Sequence, residues 1–116
     1  FYYRPTVLDG VRPGMPAYHE ELFGPVVAVL RARDEADALR LANDTRYGLG
    51  ASVWSRDAAR AERFVRAIHS GLGFVNGMVH SDPRLPFGGV KNSGYGRELG
   101  VHGIREFVNV RTVWIA

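Results

Sequence analysis

The spacing of apolar residues changes several times along the chain, and each change marks an element. Pro5-Thr6-Val7-Leu8-Asp9-Gly10, after the aromatic cluster Phe1-Tyr2-Tyr3, reads as a short strand ended by an Asp-Gly turn. Pro13, Gly14 and Pro16 break regular structure, so Val11 to Tyr18 reads as a loop or single turn. Pro25 to Arg33, with Val26, Val27 and Val29, reads as a buried strand. Asp34 caps a helix with Glu35 and Asp37 in its first turn and Ala38, Leu39, Leu41 and Ala42 on its apolar side. Gly48 to Ser55 reads as one strand, and Asp57 caps a second helix whose Ala58, Ala61, Val65 and Ile68 form an apolar stripe. Gly71 reads as that helix's left-handed cap.

Gly73 to Gly77 reads as a third short strand, Met78 to Gly96 as a long loop, and Leu99 to Phe107 as a short helix. Val108 to Ala116 reads as a last strand. Val108, Val110, Thr112 and Trp114 share one face and Val113 and Ile115 the other, so it wants cover on two sides. Alternating strands and helices predict an α/β fold, a parallel sheet with crossover helices.

Composition narrows the picture. The chain has 116 residues, of which 46% are hydrophobic and 23% charged, enough for one domain with a real core. The net charge of +3 comes from scattered basic residues with no aromatic-interleaved run, which argues against nucleic acid as a partner. There is no cysteine, so disulfides, thiolate metal sites and a cysteine nucleophile are excluded from this chain. The four histidines are too far apart for a local metal motif, so no metal is expected. No apolar run reaches membrane-spanning length and no signal peptide is visible, so the expected setting is cytoplasmic, without a membrane partner. The opening Phe-Tyr-Tyr-Arg, without methionine, reads as a piece cut from a longer protein.

Pro86-Phe87-Gly88-Gly89-Val90-Lys91-Asn92-Ser93-Gly94-Tyr95-Gly96-Arg97-Glu98 is too glycine-rich for a helix or a central strand and must be a shaped loop. It does not match a phosphate-binding loop, because the spacing to the lysine and hydroxyl is wrong. The Gly71-x-Gly73 and Gly94-x-Gly96 pairs do not match the dinucleotide fingerprint either. The stretch resembles the C-terminal signature of the NAD(P)-dependent aldehyde dehydrogenase superfamily. Glu20-Glu21-Leu22-Phe23-Gly24-Pro25-Val26 and Asn43-Asp44-Thr45-Arg46-Tyr47-Gly48-Leu49 resemble two further segments of that family, in its order. Val79 to Leu85, and the terminal Ile104 to Asn109, resemble bacterial succinate-semialdehyde dehydrogenases.

The resemblance implies roles. Glu21, read from the residues alone, is an exposed acid beside a turn. The resemblance makes it the carboxylate on the nicotinamide ribose and makes Phe23 the aromatic near the nicotinamide, so the implied cofactor is NAD or NADP. Ser81 reads as a turn-forming serine or, by resemblance, as the hydroxyl on the substrate's remote carboxylate. Phe87 reads as a core aromatic or as a wall of the substrate tunnel. Arg84 is a weaker substrate candidate, and Lys91, Arg97 and Glu98 read as structural groups that fix the glycine loop.

In the family a cysteine thiolate adds to the aldehyde, hydride leaves to NAD(P)+, and a glutamate activates water. Those groups lie N-terminal to the resembling stretch, so no catalytic residue is assigned here. The expected object is the C-terminal part of the catalytic domain (1–106) plus a terminal oligomerisation strand (107–116). The parent enzyme is expected to be a homo-oligomer that oxidises succinate semialdehyde, with this chain inactive alone. The alternatives are a catalytically dead stand-alone domain of the same ancestry, acting as an oligomerisation or binding module, and an unrelated small basic α/β binding module.

Overall fold

A computed structural model describes residues 2–116; Phe1 of the aromatic cluster lies outside the described residues. The chain forms two compact units, one ending at Thr45 and the other beginning at Arg46.

In the first unit, β1 (Thr6–Asp9) and β2 (Val26–Val29) pair in parallel, Thr6 opposite Val26 and Asp9 opposite Val29. Gly10, at φ 72°, turns the chain out of β1, and the buried Val11 donates its N–H to Val29 O at 3.1 Å. A single helical turn, α1 (Pro16–His19), starts on a proline, which suits a first helical position where no N–H partner is needed. The strand expected over Pro25 to Arg33 is shorter than its apolar run and is not buried, with Val27 59% exposed. With one neighbour strand, β2 can cover only part of its surface.

Helix α2 (Glu35–Asn43) is capped as its sequence predicts: Asp34 Oδ1 accepts the Asp37 N–H at 2.8 Å. The sequence did not point to Asp37 as a buried carboxylate. It accepts from Arg33 N and Nε, both at 3.2 Å, and from Arg40 Nε and Nη2 at 3.0 and 2.9 Å. The Arg33 bonds, with Arg40 behind them, hold its pKa well below the usual carboxylate range. A depressed pKa stabilises the fold above the unfolded carboxylate value of about 4 and ceases to do so as pH falls through the folded value. Asp37→Asn in the full-length protein is therefore expected to lower Tm at neutral pH, with the gap to wild type narrowing in acid below about pH 4. A gap independent of pH would show that the charge of Asp37 is not what stabilises this corner.

The second unit is built on a β-α-β element. Strand β4 (Gly50–Val53) pairs in parallel with β5 (Leu72–Val75), and α3 (Ala58–Ala67) crosses between them. Asp57 Oδ1 caps α3 through the Arg60 N–H at 2.9 Å, and Ala61 of the predicted stripe is 1% exposed against the sheet. The single strand expected over Gly48 to Ser55 is divided. A separate β3 (Tyr47–Gly48) runs antiparallel to β6 (Val90–Lys91), and Leu49 re-aims the backbone toward the parallel pairing of β4. The loop expected over Met78 to Gly96 thus contains a strand.

Gly71 is not the left-handed cap of α3. The helix ends at Ala67 with Ile68 as its cap, at φ −80° and ψ 130°. Gly71 serves close approach instead: a Cβ there would lie 1.8 Å from Gly88 O. Helix α4 (Gly100–Arg105) falls inside the predicted range, with Leu99 at φ 64° as its cap residue. Residues 108–116 lie outside any helix or ladder among the described residues, and Val110, Trp114 and Ile115 are almost fully exposed. A strand with two apolar faces needs neighbours on both, and the described residues offer this segment none.

The expectation of a real core also fails. Val11 and Ala61 are the buried apolar residues among those described. The sheets are two-stranded pieces, and a pair of strands cannot enclose a core. No helix is long and apolar enough to cross a membrane, among the described residues.

Candidate functional site

The first unit presents residues 20–25 between two anchors. Glu20 donates its N–H to Pro16 O at 2.8 Å, and Pro25 O accepts the Thr6 N–H at 2.9 Å. Between them Val26 N–H donates to Gly24 O at 2.7 Å, which tightens the exit into β2. Phe23 stands at φ 47°, in the left-handed region that a bulky side chain rarely adopts, and is 92% exposed. A strained, exposed aromatic held by its neighbours is a feature of binding segments. Two residues earlier, the Glu21 carboxylate is exposed and has no hydrogen-bond or ion-pair partner among the described residues. A carboxylate with both oxygens free can accept two hydroxyl hydrogens of a sugar, and an aromatic face beside it can pack on a flat ring. These residue types suit a hydroxylated sugar and a flat ring.

The second unit presents residues 76–87. Asn76, at φ 53°, clamps the end of β5 to the end of β4: its Oδ1 accepts Ser55 N–H and its Nδ2 donates to Ser55 O, both at 2.9 Å. The His80 ring lies 5.0 Å from that of Phe74, and its Nδ1 is 2.9 Å from Met78 O. Ser81 follows, exposed and with no hydrogen-bond partner for its hydroxyl among the described residues. Asp82 and Arg84 then close on one another: Nε to Oδ1 at 2.9 Å and Nη2 to Oδ2 at 2.6 Å. The Arg84 bonds hold the Asp82 pKa down at about 2, with its backbone N–H and the charge of His80 adding to the effect. Arg84 is thereby committed to a neighbour.

Phe87 is half-buried and bridged to Glu98 by two backbone bonds, at 2.7 and 2.8 Å, that open the glycine loop. Arg97 Nη1 donates to Gly89 O at 2.7 Å and to Gly96 O at 2.8 Å, the structural task read for it above. Ser93 Oγ accepts the Gly48 N–H at 3.0 Å and ties the loop to β3. Sequence reasoning missed the Asn76 clamp and the Asp82–Arg84 pair. The latter had a signal, an acid and an arginine flanking a proline. Among the described residues no group of three His, Asp or Glu could hold a metal.

Parallel strands joined by a crossover helix make this an α/β protein. The aldehyde dehydrogenase family model matches residues 1–113, and the chain belongs to that family. It is 52% identical over 115 residues to a succinate-semialdehyde dehydrogenase [NADP(+)] of Mycobacterium ulcerans, covering 99% of this chain and 25% of that protein. It is 51% identical over 115 residues to a probable succinate-semialdehyde dehydrogenase [NADP(+)] of Synechocystis, with the same shares covered. Among solved structures, succinic semialdehyde dehydrogenase from Streptococcus pyogenes, in complex with NADP+, matches with TM-score 0.94 and 39% identity, over 98% of this chain and 25% of that one. The chain spans about a quarter of the length of the curated relatives it matches.

Proposed function

We propose that this chain is the C-terminal share of an NADP+-dependent aldehyde dehydrogenase that oxidises succinate semialdehyde to succinate. The likeness over 99% of the chain to an enzyme named for that substrate and cofactor carries the reading. In it, residues 1–106 belong to the catalytic domain and 107–116 form an oligomerisation strand of a homo-oligomeric, cytoplasmic enzyme. Two observations support this: the sheets leave faces uncovered, and the exposed apolar tail has no partner strand among the described residues.

In this mechanism Glu21 accepts the nicotinamide-ribose hydroxyls, which fixes the cofactor's reactive end, and Phe23 packs beside the ring. The bound dinucleotide supplies a hydride acceptor. Ser81 donates to the substrate's remote carboxylate, and Phe87 forms an apolar wall of the aldehyde tunnel. The thiolate that attacks the aldehyde comes from polypeptide outside these residues, since the chain has no cysteine, and the family resemblance puts the water-activating carboxylate there too. The aldehyde would give up hydride to the bound dinucleotide, water would supply the second oxygen, and two protons would be released as the carboxylate forms.

Steady-state kinetics of the full-length protein test the reading. NADPH should form with succinate semialdehyde, and Ser81→Ala should lower kcat/KM for that substrate by about 10-fold or more, the value of a hydrogen bond to a charged group. Butanal, of the same carbon length without the carboxylate, should change little. Equal losses on the two aldehydes would remove Ser81 from the carboxylate site.

A further inference from the structure

We propose that Arg84 is a specificity-positioning residue: by closing on Asp82 it cancels the negative charge beside Ser81, so that the loop accepts an aldehyde carrying its own carboxylate. The inference rests on the assignment of Ser81 above and extends it to a residue that does not itself touch the substrate.

Asp82 is the sole acid between Asn76 and Arg97, and it follows Ser81 directly in the chain. Its side chain is 21% exposed, whereas that of Arg84 is 85% exposed. A half-buried carboxylate is poorly screened, and unpaired it would repel a second carboxylate arriving at the neighbouring hydroxyl. The guanidinium removes that repulsion with two parallel bonds, and the Arg84 N–H adds a third to Asp82 Oδ1 at 2.9 Å.

The turn is built to keep the pair in place. Leu85 N–H donates to Asp82 O at 3.0 Å, and Gly100 N–H, at the start of α4, donates to Pro83 O at 3.0 Å. Gly100 is at φ +55°, and a Cβ there would sit 3.0 Å from Arg84 O, so α4 meets the turn at close range. The arginine read from sequence as a weaker substrate ligand is thus occupied by an internal acid, and its influence on the substrate passes through that acid.

A charge cycle in the full-length enzyme tests this, with Arg84→Gln, Arg84→Lys, Asp82→Asn and the double variant Asp82→Asn/Arg84→Gln. Arg84→Gln should raise KM for succinate semialdehyde about 10-fold or more, the scale of a like-charge contact near a protein surface, and leave kcat and the KM for butanal near wild type. Arg84→Lys should largely retain the wild-type KM. The double variant, with neither charge, should recover most of the loss. Tm of each variant guards against misfolding, and Asp82→Asn alone should not weaken succinate semialdehyde.

If Arg84→Gln raises both KM values alike, the residue is merely structural and the proposal fails. If the double variant stays as poor as Arg84→Gln, Arg84 contacts the substrate directly and the proposal also fails. Failure of the Ser81 assignment reads out separately, as equal losses on the two aldehydes in Ser81→Ala alone.

Discussion

Alanine at position 71 is expected to cost the protein about 3 kcal/mol or more of stability, at or beyond the upper end of ordinary overpacking. The added Cβ would fall 1.8 Å from Gly88 O, 2.7 Å from Gly88 C and 2.9 Å from Gly89 Cα. All three are backbone atoms, so no rotamer change can relieve the clash. Neither side is free to retreat. Gly71 N–H donates to Gly48 O at 3.0 Å, and Gly89 O is held by Arg97 at 2.7 Å. The strain would be relieved by moving the glycine loop, and with it Phe87 and the residues that precede it. Thermal or urea unfolding of the full-length Gly71→Ala protein should therefore show a large loss, accompanied by reduced activity toward every aldehyde. A variant with wild-type Tm would mean that the loop does not lie against Gly71.

Glu21→Gln is expected to have the opposite character, a large functional effect on an intact fold. Glu21 is exposed and makes no bond within the described residues, so little structure depends on it. Its proposed work is to accept two ribose hydroxyls with a charged group. Hydrogen bonds to charged groups contribute about 1.5–3 kcal/mol each, and an amide replaces one acceptor oxygen with a donor. The cofactor KM should rise, or kcat fall, by about 10- to 100-fold, while Tm stays near wild type. Unchanged cofactor KM and kcat would take Glu21 out of the site. Together the two variants separate the glycine that shapes the loop from the acid that meets the ligand.

What the sequence made legible depended on how local the cause was. Asp34 and Asp57 cap their helices as read, because an N-cap is settled within four residues. The β-branched run gave β2, and the Asp-Gly pair ended β1. Features set by distant partners were not legible. Gly71 sits before a strand and reads as a cap, but its requirement comes from Gly88. Leu49 looks like mid-strand, yet the chain switches there from pairing with β6 to pairing with β5. Val108 to Ala116 reads as a strand that needs two covered faces, and among the described residues it joins no ladder. Asp37 shows the converse failure: its partners are local, Arg33 four residues before it and Arg40 three after, and that spacing is a signal the reading passed over.

The site divides in the same way. Glu21, Phe23, Ser81 and Phe87 are proposed through the family motifs that contain them, since isolated residues of these types have no signature. The structure adds an exposed phenyl ring on a left-handed backbone and, among the described residues, an unpartnered carboxylate and hydroxyl. It also shows that Arg84 is already engaged with Asp82.

The central claim is that these residues are part of a working dehydrogenase. Reading the coding DNA upstream of Phe1 tests it most directly. An in-frame extension that carries a glycine-rich cofactor segment, a nucleophilic cysteine and a general-base glutamate is expected. A stop codon immediately upstream, with translation starting at or near Phe1, would contradict it and leave the family membership as ancestry without the activity.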